Sequence, residues 1–462
     1  MRNTGGSASP LRSVLKRTNL ALSILGVASL SLYLYGLLLQ GTGVGSIFWF
    51  IKLTFAQGAL YALAALFIWR APATSTRSTF VIVVVFAALF RLSVLFAPPL
   101  LTDDLYRYIW DGRVQAAGIN PYRYIPADPA LAPLRDESIY PKINRRDYAP
   151  TIYLPVAQMI FFAVTRISET VIWLKVSMVL FECAGLLALT ALLTSFNLPR
   201  ERILLAAWHP LLVWEIANNG HLDALVVCFV ALALLARQRR RDAVTGFLLA
   251  CATLVKFFPV ILFPALYRRW NWRMPPVFIA TIALAYVPYL SVGIKKALGF
   301  LFAYTAEEGL QSGERFFILS LAGKILGESA ALNAGYKVFA LLLLGALALW
   351  MFFRRERDER EFVRSAAALV VAFTVLLSPH YTWYFVWLVP FFPFMPGASL
   401  APLIVLTSMS FMLYGTWVGD KPEDMFVWNS IIYLPPALLA ALIWLSRWRR
   451  GAGTVDAKAI PS

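Results

Sequence analysis

Charged and reactive side chains are scarce in this sequence. Only 15% of its 462 residues are Asp, Glu, Lys or Arg, and it has three cysteines and three histidines. Cys183, Cys228 and Cys251 fall inside apolar runs without metal-type spacing, which argues against a disulfide framework and against a zinc site. The glycine-rich loops of P-loop and Rossmann nucleotide sites are also absent. These absences point away from nucleotide-binding and metal-stabilised soluble proteins.

Apolar residues dominate the chain. They make up 60% of it and give a mean hydropathy of +0.67, which leaves too little polar surface for a soluble globule. A membrane helix needs roughly 20 apolar residues, and six continuous runs meet that length: 20–40, 47–69, 79–98, 171–194, 334–353 and 427–446. A membrane barrel would show short alternating segments instead. The sequence therefore predicts an all-α membrane protein, a polytopic helical bundle of about 11–14 transmembrane helices.

Clusters of basic residues predict the orientation of the chain. They lie at 1–19, 70–77, 197–202, 237–242, 268–273, 354–364 and from 447 onward, and they hold 24 of the 42 Lys and Arg but only 7 of the 25 acids. The positive-inside rule assigns these clusters to the cytoplasm. The expected organisation is a cytoplasmic segment at 1–19, a polytopic domain at 20–447 and a cytoplasmic tail at 448–462. The first run is long and lacks a cleavage site, so we interpret it as a retained helix.

The net charge of +17 thus has a membrane explanation. Nucleic-acid binding would need a basic, aromatic soluble surface, which the chain lacks, so we expect no nucleic-acid partner. The expected location is the inner, or plasma, membrane, with the lipid bilayer as solvent for most of the chain.

Unusual polar motifs fall on one predicted face. Threading the chain through the basic anchors gives about 14 crossings if 151–166 and 316–333 are outer-face helices that do not span. The motifs left outside are the segment 102–150, NNGHLD at 218–223, KFFP at 256–259, loop 293–315, SPHYTW at 378–383 and GDKPED at 419–424. Their segregation predicts a single site on the periplasmic or extracellular side.

The segment 102–150 is the largest non-apolar stretch, with seven acids and seven bases. Residues 103–117 are predicted to form a helix that lies on the membrane, because aromatic residues such as Tyr108 and Trp110 prefer the interface. Asp103 and Asp104 sit where the preceding run ends. One interpretation is helix capping. The other is that one carboxylate is a general base while its neighbour orients the acceptor or binds a cation.

Several other polar side chains interrupt apolar runs near the predicted outer face. Each has a structural interpretation: a satisfied interfacial histidine, a snorkelling lysine, or an aromatic belt. Each also has a functional one, since a charge within a membrane segment often marks a binding site. The candidates are His221, Asp223, Lys256, Arg315, His380 and Tyr381. Arg91 and Arg315 are both placed where they could meet a lipid phosphate.

Five ordered motifs across residues 85–395 resemble a known family. They are DDLYRYIWDGRVQAAGINPYRYIPAD, TIYLPVAQ, WHPLLVWEIANNGHLDAL, GFLLACATLVKFFPVILFPALYRR and SPHYTWYFVWLVP. Together they are similar to bacterial polyprenol-phosphate-mannose-dependent mannosyltransferases of the GT-C superfamily. The resemblance implies an enzyme that takes a sugar, most simply mannose, from a polyprenyl phosphate sugar donor on the outer face. The acceptor would be a hydroxyl of a glycan or glycolipid.

The resemblance also implies roles for individual residues. The acidic outer loop of the family falls on Asp103 and Asp104, and Asp104 is the favoured catalytic base. Phosphate or sugar contacts are implied for the polar residues of the matched motifs and, by its position, for one arginine between them: Arg107, Arg113, His221, Asp223, Lys256, His380, Tyr381 and Arg315.

The sequence leaves some alternatives open. About three helices precede the acidic loop where the family usually has one, and Leu154 stands in TIYLP where proline is expected. The need for a divalent ion is also open, because Asp103 and Asp104 suit Mg²⁺ or Mn²⁺ whereas several members of the family work without a metal. A transporter or flippase of lipid-linked sugars would share the helices and the charges. A GT-C transferase of another sugar, such as arabinose or glucose, also fits.

Overall fold

Helices form the regular structure of the chain. The computed structural model describes residues 8–38, 44–70, 76–298, 309–354, 358–417 and 424–456, and no strand occurs within them. The α-helices of ten residues or more in these ranges are α1 (Ala8–Leu38), α2 (Val44–Arg70), α3 (Arg77–Leu95), α4 (Asp104–Ala116), α5 (Pro155–Thr165), α6 (Val171–Ser195), α7 (Asp223–Gln238), α8 (Asp242–Thr253), α9 (Met274–Tyr286), α10 (Phe317–Leu326), α11 (Ala330–Phe353), α12 (Glu361–Leu377), α13 (Gly397–Met409) and α14 (Asp424–Asp456). The predicted turn at 419–424, the middle of loop 293–315 and both ends of the chain lie largely outside the described residues.

The predicted all-α, polytopic membrane class is confirmed. Within the described ranges, eight helical segments are long and apolar enough to cross a bilayer, and the bent pair Leu212–Asn218 with Asp223–Gln238 would make a ninth. The prediction of 11–14 transmembrane helices also includes apolar runs that the structure divides into shorter helices, which fall outside this count. The run Thr382–Phe394, for example, is a 3-10 helix with Pro390 and Pro393 inside it, and proline removes an α-helical hydrogen bond.

The two helices predicted not to span are both short. Helix α5 has 11 residues and α10 has 10. At 1.5 Å per residue each is only about 15–17 Å long, half of what a bilayer core requires.

A buried ion pair connects α3 and α6. Arg91 Nε donates to Glu182 Oε2 at 2.9 Å, and Arg91 Nη2 also contacts Glu182 Oε1. Arg91 Nη1 donates to the carbonyl oxygens of Ala87 and Ala207, each at 2.8 Å. The expectation that Arg91 meets a lipid phosphate is wrong, because protein oxygen atoms already surround its guanidinium.

The NNGHLD motif forms a sharp bend. The π-helix Leu212–Asn218 and α7 meet at 119°, and Gly220 between them has a φ of +71°, which glycine adopts without strain. The Oδ1 atoms of Asn218 and Asn219 accept from the backbone N–H of Leu100 at 3.1 and 3.2 Å. The bend therefore holds the chain that leaves α3 and leads into the outer segment.

Helix α4 opens the outer segment, as predicted for 103–117. Tyr108 stacks on Phe161 of α5 with ring centroids 4.6 Å apart. Trp110 packs against Tyr140 and neighbouring residues of the outer segment. Both Tyr108 and Trp110 are 1% exposed. These two rings belong to the protein interior rather than to the lipid interface, because α5 and the rest of the segment cover them.

Candidate active site

A cavity of about 920 Å³ lies between the start of α4, the end of the outer segment, the turn after α8 and the chain that follows α12. More than half of its lining side chains are aliphatic, proline or phenylalanine. Its charged and amide side chains are Asp103, Asp104, Asn144, Arg145, Lys256 and Arg315. A largely apolar cavity with a few convergent polar groups has the character of a ligand site.

Asn144 holds the two adjacent carboxylates. Its Nδ2 donates to Asp103 Oδ1 at 2.9 Å and to Asp104 Oδ1 at 2.6 Å. Asp103 occupies the N-cap position of α4, but its carboxylate makes no capping bond. The backbone N–H of Asp104 donates to Thr102 Oγ1 at 3.2 Å instead. The geometry therefore does not support the capping interpretation of the acidic pair.

The Asp104 carboxyl has a pKa raised to about 6. Burial is the main cause, because it disfavours the charged form, and the adjacent charge of Asp103 adds to it. The positive charges of Arg145 and Lys256 oppose the rise. A carboxylate with a pKa close to neutrality can both accept and release a proton, which suits a general base.

A histidine and a buried glutamate lie behind Asp104. His221 Nδ1 is 3.8 Å from Asp104 Oδ2, and His221 Nε2 is 3.4 Å from Glu215 Oε2. Glu215 accepts hydrogen bonds from Tyr414 Oη at 2.7 Å and from Asn219 Nδ2 at 3.1 Å. Glu215, His221 and Asp104 thus follow one another as carboxylate, imidazole and carboxylate. In such a series a fixed acid, here Glu215, can orient a histidine toward a reacting group.

Lys256 forms an ion pair with Asp223 at the cavity wall. Lys256 Nζ lies 2.9 and 2.8 Å from the two Asp223 oxygens. Asp223 Oδ1 also accepts from Trp387 Nε1 at 2.6 Å. The ammonium lies 4.6 Å from the ring centroid of Tyr384 and 5.5 Å from that of Trp387. Lys256 therefore has the anionic partner that its position in an apolar region requires.

Aromatic rings of the SPHYTW motif stack beside His221. Trp383 lies between Tyr381 and His221, with ring centroids 4.5 and 4.2 Å apart respectively. His380 packs on Tyr381 at 4.3 Å. Tyr381 and Trp383 line the cavity, whereas the two histidines lie behind lining residues.

Arg145 and Arg315 bring positive charge to the cavity. Arg315 Nε donates to the carbonyl oxygen of Leu377 at 3.1 Å. Arg145 follows Asn144, and its charge lowers the pKa of Asp104. A cavity with a proton acceptor and several cations can stabilise a reaction in which a hydroxyl loses a proton and a phosphate leaves.

Residues 18–272 contain the acidic pair, the NNGHLD bend and Lys256, and they match a known family. The matching family model is described as alpha-(1->6)-mannopyranosyltransferase, N-terminal domain, and it covers more than half of the chain. The chain belongs to this MptA_B family. It is a multi-pass membrane mannosyltransferase of the GT-C type, with a sugar donor, a sugar acceptor and the bilayer as partners. No curated protein and no solved structure matches it significantly.

Two candidate residues of this MptA_B mannosyltransferase do not reach the cavity. Arg107 is buried and donates from Nε to Asp111 Oδ1 at 2.9 Å. Arg113 donates to Asp136 at 3.0 Å and to Glu169 at 2.8 Å. These contacts fix the outer segment to itself and to the chain before α6, so the donor contacts implied for Arg107 and Arg113 do not agree with their positions.

The acidic pair of the mannosyltransferase is arranged as a hydrogen-bonded pair rather than as a cation site. Among the described residues, no three His, Cys, Asp or Glu side chains group so as to hold a metal ion. Asn144 Nδ2 donates to Oδ1 of both carboxylates, so an N–H donor already lies between the two oxygens that a shared cation would require. The donor set therefore does not fit such an ion.

Sequence reasoning missed Asn144, Arg145 and Glu215. Asn144 lies 40 residues from Asp104 in the chain, and only the fold of the outer segment brings the two together. Glu215 offered a clearer signal, because it is a lone acid within an apolar run, and such residues are functional candidates in membrane proteins.

Proposed function

We propose that the protein transfers mannose from a polyprenyl phosphate donor to a hydroxyl of a glycan or glycolipid, with Asp104 as the general base. The observation that supports this most directly is that Asp104 lines a largely apolar cavity together with Lys256, Arg145 and Arg315. The carboxylate suits the acceptor, the cations suit the donor phosphate, and the apolar lining suits a prenyl chain.

The reaction is a single displacement. The acceptor oxygen attacks the anomeric carbon, the bond from that carbon to the phosphate oxygen breaks with its electron pair on the phosphate, and the acceptor proton passes to Asp104. The transition state has oxocarbenium character. One displacement inverts the anomeric centre, so a β-linked donor gives the α linkage named in the family description.

The cations have separate roles in this scheme. The Lys256 ammonium has three N–H donors, and the two directed at Asp223 leave one for the departing phosphate. Arg145 and Arg315 supply guanidinium groups, which match phosphate geometry. Asp223 acts by positioning Lys256.

The histidines also act through lining residues. His221 lies between Glu215 and Asp104, 3.4 and 3.8 Å from their carboxylate oxygens, and would orient Asp104 by a small movement toward it, while His380 supports the ring of Tyr381. Tyr381 lines the cavity and offers aromatic surface to the sugar. Asp103 tunes Asp104 by its charge.

We further propose that the cavity opens on the periplasmic or extracellular side of the inner membrane, with both termini in the cytoplasm. Helices α7 and α8 support this orientation. Asp223 and the chain after α8 lie at the cavity, whereas the opposite ends of both helices adjoin the basic run 237–242. The positive-inside rule assigns that run to the cytoplasm.

This orientation predicts opposite labelling of two engineered cysteines. Ala117→Cys, at an exposed position after α4, should react with a membrane-impermeant maleimide in intact cells. Arg239→Cys, exposed after α7, should react only after permeabilisation. Both belong in a background in which Cys183, Cys228 and Cys251 are alanine. Labelling of Arg239→Cys alone in intact cells would reverse the orientation.

The donor assignment predicts transfer by the purified protein in liposomes. Radiolabelled polyprenyl phosphate mannose and a mannoside acceptor should give a new glycosidic bond, at a rate at least about tenfold above that with the arabinose or glucose analogues. Nucleotide-linked mannose should give no product. Movement of the lipid-linked sugar across the bilayer without a new bond would show a flippase, and faster transfer of another sugar would reassign the donor.

A further inference from the structure

A second cavity, of about 270 Å³, lies at the other end of the helices that form the active site. Helix α7 begins with Asp223 beside the first cavity and reaches the second with Arg237. Helix α12 contributes Leu377 to the first cavity and Glu361 to the second. At 1.5 Å per residue these intervals correspond to about 21 and 24 Å. The second cavity is therefore a separate site.

The wall of the second cavity is strongly basic. Its described lining includes four arginines, Arg237, Arg268, Arg269 and Arg354, and a single acid, Glu361. Four positive charges and one negative charge leave +3. Glu361 pairs with Arg354. Arg268 donates to Oδ2 of Asp242, a residue outside the lining, at 3.1 Å. We call this site the arginine cavity.

Three basic clusters that are far apart in the sequence converge here. Arg237 comes from the end of α7, Arg268 and Arg269 from the chain before α9, and Arg354 from the end of α11. Basic residues that only obey the positive-inside rule need no concave arrangement, because isolated arginines at helix ends serve that rule equally well. The convergence on one cavity therefore needs another explanation.

Aromatic contacts fix parts of the arginine cavity. Tyr267 stacks on Phe352 with ring centroids 5.0 Å apart and an angle of 4° between the planes. The Arg237 guanidinium lies 5.0 Å from the ring centroid of Phe362, and Arg237 is only 7% exposed. A buried guanidinium on an aromatic ring is held in place before any ligand arrives.

We propose that the arginine cavity binds a phosphate group, carried either by the headgroup of an anionic phospholipid or by a small soluble molecule. Guanidinium groups bind phosphate oxygens through paired, charge-assisted hydrogen bonds. Basic pockets between transmembrane helices are also where anionic headgroups bind on the cytoplasmic side. Ser365 adds a hydroxyl donor to the lining. A bound phosphate would join α7, α11 and α12 at the end opposite the active site.

The test uses the full-length protein in neutral detergent. Native mass spectrometry counts bound lipid in a titration with dioleoyl phosphatidic acid, with dioleoyl phosphatidylcholine as the neutral comparison. Two variants change the arginine cavity, Arg269→Gln and Ser365→Asp. The matched control is Arg239→Gln, which removes the same charge from an exposed position outside the lining. Thermal unfolding without lipid verifies that each variant is folded.

We expect phosphatidic acid to bind more tightly than phosphatidylcholine. Arg269→Gln should weaken this binding about tenfold, as loss of one charge-assisted contact does. Ser365→Asp should abolish it, and Arg239→Gln should leave it unchanged. Displacement of the lipid by inorganic phosphate would assign the site to soluble phosphates, and resistance to displacement would assign it to the headgroup. Equal weakening by Arg239→Gln and Arg269→Gln, or binding that ignores lipid charge, would overturn the proposal.

Discussion

Replacing Asp104 by asparagine is expected to lower the rate of mannosyl transfer about 10²–10⁴-fold, the usual contribution of a general base. The amide keeps the shape of the carboxylate and can still accept the hydrogen bond from Asn144, but it cannot take the acceptor proton. Donor binding should change little. The measurement is kcat with a radiolabelled donor, together with the donor Kd. Asp147→Asn is the matched control, because Asp147 is an exposed carboxylate of the same segment outside the cavity lining.

The pH profile supplies a second readout for the same residue. The base must be ionised, so the rate should fall as the pH falls through about 6, the raised pKa of Asp104. Asp103→Asn removes a neighbouring negative charge, lowers the pKa of Asp104 and should move this acid limb to lower pH. An inactive Asp103→Asn variant beside an active Asp104→Asn variant would exchange the roles of the two residues.

Replacing Lys256 by methionine is expected to destabilise the protein by about 3 kcal/mol and to weaken donor binding. Asp223 is fully buried. Without the Lys256 ammonium, the side-chain donor that remains to its carboxylate in the described part of the chain is the N–H of Trp387, which carries no charge. Removing one partner of a buried ion pair leaves an uncompensated charge, which is the origin of the loss. Thermal unfolding in detergent measures stability. Lys142→Met, at an exposed lysine outside the cavity lining, should change neither quantity.

The double variant Lys256→Met/Asp223→Asn separates structure from binding. It removes both charges, and the new amide oxygen can still accept from Trp387, so most of the stability should return. Donor affinity should stay low, because the cation that faces the phosphate is missing. If stability and donor affinity both return, Lys256 serves only to neutralise Asp223, and its proposed phosphate contact is wrong.

The sequence predicts the membrane class well because hydropathy is a local property that each helix displays on its own. It does not show where an apolar run bends, because hydropathy carries no information on the direction of the chain. The NNGHLD bend and the prolines of Thr382–Phe394 break apolar runs that read as continuous. Only the packed structure shows where such runs bend or change helix type.

The candidate site was predictable where a side chain stands alone in an apolar context, as Lys256 does. It was less predictable on α4, where charges are frequent. Arg107 and Asp111 are four residues apart, the spacing at which helical side chains pair, and the structure has this ion pair. That spacing indicates that the Arg107 guanidinium pairs with Asp111 and is not directed at a ligand. Asn144, which donates to Asp104, is 40 residues away in the chain, and no local pattern identifies it.

The Arg91–Glu182 pair has a consequence for biogenesis. The two residues are 91 positions apart in the chain, and a ribosome adds about 5–20 residues per second. The guanidinium of α3 thus leaves the ribosome about 5–18 s before its counter-ion is synthesised. An unpaired arginine opposes partitioning of a helix into lipid by as much as about 3 kcal/mol. The apolar residues of α3 can offset this cost, so during synthesis α3 carries an unpaired charge within the bilayer until α6 supplies Glu182.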